Sequence, residues 1–92
     1  MDFNEVLVVQ NDLDVNNRKI QKLKNKVSEL EKEIKKYESY YEQETKFENF
    51  EIESMIFNNH LYIGNCNRDI KMLRLENKPM EDIVNEFKGN LS

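Results

Sequence analysis

The 92-residue chain is predicted to be mainly α: a long N-terminal coiled-coil helix followed by a small C-terminal head. Three observations predict it. A seven-residue apolar repeat starts at Val6 and holds for five heptads. Neither Gly nor Pro interrupts residues 2–46. Charged residues make up 35% of the chain against 38% hydrophobic, a balance that suits elongated helices better than a compact globule. The chain therefore divides into residues 1–46, the coiled-coil helix, and residues 47–92, the head.

The repeat carries the argument for the first element. With Val6 at heptad position a, the a residues are Val6, Leu13, Ile20, Val27, Ile34 and Tyr41, and the d residues are Val9, Asn16, Leu23, Leu30 and Tyr37. Ten of these eleven are apolar or aromatic, so one narrow stripe runs along the helix and ends at Glu44 and Glu48. A period of 3.5 residues keeps that stripe facing a second helix and calls for left-handed supercoiling. A lone helix leaves the stripe in water, so it needs cover. Two covers are open: another chain, which sustained heptads favour, or the chain's own C-terminal half. Asn16 inside the stripe either fixes register at some cost in stability or marks a frayed end of the coil. Val6 to Val9 also reads as a short strand, with Asn11 or Asp12 capping a helix that starts later.

Flanking charges bear on orientation. Residues of type β-branched at a with Leu at d, as in Ile20/Leu23 and Val27/Leu30, favour a parallel dimer. In that dimer, however, Lys19 faces Lys24 and Glu33 faces Glu38. An antiparallel homodimer sets Lys26 against Glu33 and Lys24 against Glu31 instead. Such pairs contribute only about 0.3–0.5 kcal/mol each, so they choose an orientation without supplying affinity. The partner expected is a second copy, most simply a dimer, or a heteromeric coiled-coil helix. The interface residues are the eleven stripe positions.

Arg18, Lys19, Lys22, Lys24 and Lys26 form a basic block with no acid among residues 18–28. Such a block can lie against nucleic acid or an anionic surface. It sits within the heptads at flanking positions, though, and the preceding segment holds Asp2, Glu5, Asp12 and Asp14. Those features, with a net charge of −4, fit a solvated coiled-coil face better than a nucleic-acid contact.

Beyond Glu48 the heptad is expected to lapse. Asn58-Asn59 lies between Met55-Ile56-Phe57 and Leu61-Tyr62-Ile63, which reads as a β-hairpin because Asn tolerates the positive φ of a type I′ turn. Two short helices follow in that reading, one capped by Asn67 or Asp69 and one begun by Pro79 and stopped by Gly89. The alternative is a helical hairpin, with a second helix whose stripe runs through Ile56, Ile63, Cys66, Ile70 and Leu73. Leu73–Phe87 is similar to the first two helices of helix-turn-helix domains, but a small helical cap explains the same pattern. Phe47, Phe50, Phe57 and Tyr62 are the candidate partner surface of the head.

No enzyme is expected. His60 and Cys66 are the sole histidine and cysteine, nothing in the sequence orients the imidazole, and no glycine-rich phosphate loop exists. Nor is a cofactor or metal expected, since one Cys and one His make no zinc site alone. No signal peptide or apolar run of spanning length is visible, and a single Cys forms no internal disulfide. The expected setting is intracellular, cytoplasmic or nuclear.

Overall fold

The computed structural model describes residues 2–42 and 49–91, and these form two long helices lying side by side. Helix α1 spans Phe3–Ser39 and runs on into a single 3₁₀ turn at Tyr40–Glu42. Helix α2 spans Asn49–Leu91 and runs back along α1, giving an antiparallel hairpin 65 Å long and 18 by 16 Å across.

Helix α1 begins earlier than Asn11 or Asp12 would have it. Asp2 is the N-cap, its carboxylate accepting from the Glu5 amide at 2.8 Å and its carbonyl from the Val6 amide at 3.1 Å. Val6 to Val9 is therefore helical and not a strand. Once the helix is nucleated by that cap, β-branched residues cost little where their side chains gain burial.

The β-hairpin expected near Asn58-Asn59 does not form. Residues 50–65 are helical, and α2 passes without interruption through Asn58, Asn59, Gly64, Pro79 and Gly89. No residue described, glycines included, has a positive φ. Pro79 does not start a helix and Gly89 does not stop one, so Leu73–Phe87 contains no turn of the helix-turn-helix kind. The reason is tertiary. Read along α2, Ile52, Ile56, Asn59, Ile63, Cys66, Ile70, Leu73, Asn77, Met80, Val84 and Phe87 alternate at spacings of four and three. The heptad does not lapse, and every one of these side chains is buried or half-buried. Pro79 itself is exposed, so the Leu75 carbonyl that loses its helical donor faces water.

One contact sets the register: Asn16 Nδ2 donates to Asn77 Oδ1 at 2.9 Å. With Asn16 facing Asn77, each stripe residue of α1 falls opposite a stripe residue of α2, from Val6 with Phe87 to Tyr41 with Ile52. At the open end Val6, Leu13 and Val84 are buried together, with Val9, Met80 and Phe87 packed on them. Phe3 adds a tilted ring contact to Phe87, centroids 6.2 Å apart. At the closed end Ile52 is fully buried. At the flanks Lys26 lies beside Tyr62 and Lys19 lines one groove with Asp69.

Candidate interaction surface

The expected interface stripe of α1 faces α2 of the same chain. Val6, Leu13, Asn16, Ile20, Leu30 and Ile34 are buried, and Val9, Leu23, Val27 and Tyr37 are half-buried. Tyr41, in the 3₁₀ turn, is the exposed member. Its hydroxyl pKa is raised above the ordinary value, first by desolvation and then by the carboxylates of Glu53 and Glu38. Glu44, Phe47 and Glu48 lie outside the described residues.

Polar groups inside the seam are satisfied. Asn77 is 2% exposed; it accepts from Asn16 and donates through Nδ2 to Asn17 Oδ1 at 3.1 Å. Asn59 donates to Glu33 Oε2 at 3.0 Å and, at 3.4 Å, to the Leu30 carbonyl. Among the described residues no buried side-chain nitrogen or oxygen lacks a partner. Asn16 thus acts as a register pin and not as a frayed end. Sequence reasoning missed Asn77 and Asn59; the signal was the unbroken four-three spacing through them.

The basic block is solvent-facing but not a bare cationic face. Arg18, Lys19, Lys22, Lys24 and Lys26 are exposed, and Lys24 points away from the others around the helix. Lys26 Nζ lies 5.6 Å from the centroid of the Tyr62 ring, a cation–π contact between the helices. Lys19 and Lys22 border an open groove of about 510 Å³ floored by Leu23, Met72 and Leu73, and Asp69 lines it too.

The head-surface residues fare differently. Phe50, Phe57 and Tyr62 are all on α2 and all more than half exposed, as are Leu61, Met72 and Leu75, which sequence reasoning passed over. Phe57 and Leu75 are eighteen residues apart, five whole turns, so they share one side of α2. Phe50 and Leu61 lie within about 40° of that line, opposite the seam. The side of α2 that α1 leaves uncovered thus carries four exposed apolar residues, with Gly64, Arg68 and Lys71 between them.

Chemistry-bearing groups are dispersed. Cys66 is a free thiol buried in the seam, whereas His60 is exposed on the flank, about 9 Å away along the axis. Among the described residues no three His, Cys, Asp or Glu side chains could hold a metal ion, and no helix is long and apolar enough to cross a membrane. No protein-family model, no curated protein and no solved structure matches the chain.

Proposed function

We propose that this chain is a non-enzymatic protein–protein interaction module, an adaptor or assembly subunit. The two helices close a rod, and the outer side of α2 grips a partner. The observation that carries the reading is the apolar outer side of α2, where Phe57 is 61% and Leu61 55% exposed with no neighbour to cover them. Surface area supports it. The molecule exposes 7183 Å², whereas a compact monomer of 11.1 kDa exposes about 5,700 Å². That excess of about 1,500 Å² is about twice the area each partner gives to a standard protein interface.

Oligomerisation through the α1 stripe has a rival within the chain. A tethered helix acts at an effective concentration on the order of millimolar, so α2 outcompetes another chain's α1 for that stripe at ordinary concentrations. A partner is accordingly sought on the outer side. The buried, unpaired Cys66 fits a reducing, intracellular setting.

The test is capture from cell extract by the tagged chain and by a Phe57→Glu/Leu61→Glu variant, with helix content checked by circular dichroism. The variant is expected to stay helical and lose the captured proteins; an identical set on both baits, with no self-association through this face either, would refute the reading. For the nucleic-acid alternative, labelled duplex DNA or RNA is expected to show no mobility shift at physiological salt. A salt-sensitive shift abolished by Lys22→Glu/Lys24→Glu would establish that alternative instead.

A further inference from the structure

We infer that the partner of the outer face of α2 is a second copy of this chain, docked antiparallel about a two-fold axis that passes between Tyr62 and Ile63. The inference rests on the interaction-module reading and names its occupant.

The outer face has its own phase. Phe50, Phe57, Leu61, Gly64, Arg68 and Leu75 follow one another at spacings of seven, four, three, four and seven, a second heptad on the far side of the helix from the seam. Laid antiparallel on itself, this row is self-complementary. Phe50 meets Leu75 of the second copy, Leu61 meets its Gly64, and Phe57 meets its Arg68. The contacts then repeat in reverse, as an isologous interface requires. The layers set apolar against apolar at Phe50 and Leu75, bulk against space at Leu61 and Gly64, and ring against cation at Phe57 and Arg68, while Ser54 falls opposite Lys71. A Cβ built on Gly64 meets nothing within 4 Å, so a neighbouring helix can approach closely there without displacing anything of this chain.

Charge selects the direction. At the edge of the row, Glu53 falls opposite Arg74 of the second copy, and symmetry makes that pair twice. The remaining edge positions on that side set His60 against Asn67, and those on the other side set Asn58 against Asn65 and Glu51 against Met72. No like charges meet at these positions. A parallel arrangement would stack Arg68 on Arg68 within the row itself. The surface area also fits. Burying about 800 Å² per copy, as standard interfaces do, would remove about half of the excess the hairpin exposes.

The experiment is mass by light scattering or sedimentation equilibrium on the purified full chain over a wide concentration range. The wild type is expected to reach twice its 11.1 kDa mass. Phe57→Glu/Leu61→Glu is expected to remain at the monomer mass with its helical circular dichroism intact. Glu53→Arg should weaken dimerisation at least several-fold, and Glu53→Arg/Arg74→Glu should restore it. A wild type that stays monomeric throughout overturns the inference. The interaction-module reading would survive that result and fall only with the capture experiment. A dimer indifferent to Phe57→Glu/Leu61→Glu assigns self-association to another surface and also overturns it. Failure of the charge exchange to rescue overturns the antiparallel geometry.

Discussion

Asn77 shows how one buried amide can do what apolar packing does not. Leu, Ile and Val at the neighbouring layers would tolerate a slip of one heptad, since apolar contact is not directional. The Asn16–Asn77 hydrogen bond tolerates none, because either amide moved by seven residues would be buried against an aliphatic side chain. Asn77→Val alone is expected to cost about 1–3 kcal/mol, because Asn16 loses its acceptor while staying buried. Adding Asn16→Leu should recover most of that loss and loosen the register. Urea unfolding of the three proteins measures both effects, and a single variant as stable as the wild type would show the pair to be dispensable.

At the scale of the element, α2 is a helix whose local residues argue against it. Asn58-Asn59 favours a turn, Gly64 lowers helix propensity, and Pro79 removes a main-chain hydrogen bond. The helix persists because eleven seam positions gain cover from α1, and because Pro79 lies on a side where the orphaned carbonyl reaches water. Pro79→Ala is therefore expected to stabilise the hairpin, by up to about 3 kcal/mol, seen as a rise in the thermal midpoint. An unchanged or lower midpoint would mean that Pro79 is not a defect in α2. The heptads of α1 were legible in the sequence because no Gly or Pro masks them and only Asn16 breaks the apolar count. Those of α2 were not, because Asn59 and Asn77 occupy seam positions and the local Asn-Asn signal competes with the period.

Taken whole, the molecule is a rod with a radius of gyration of 20.3 Å, against about 12 Å for a compact chain of this length. Two helices cannot enclose a core. Each helix covers only one side of the other, which leaves Phe50, Phe57, Leu61 and Leu75 of α2 in water. Small-angle scattering of the Phe57→Glu/Leu61→Glu variant is expected to return a radius close to that of the hairpin. A value near that of a compact chain would contradict the two-helix architecture. The exposed residues Phe50, Phe57 and Tyr62 could be named from sequence as a surface. That they share α2 with Leu61, Met72 and Leu75 emerged only once the helix was continuous.

By itself the sequence determined that α1 is a long helix with a stripe in need of cover, since periodicity alone states which side of a helix avoids water. What covers the stripe was decided only in the tertiary structure. A heptad specifies that some helix must lie there, but not which one. The choice of α2 depends on a buried Asn16 finding Asn77, on two seams keeping one register over eleven layers, and on a tether that keeps the second helix always at hand.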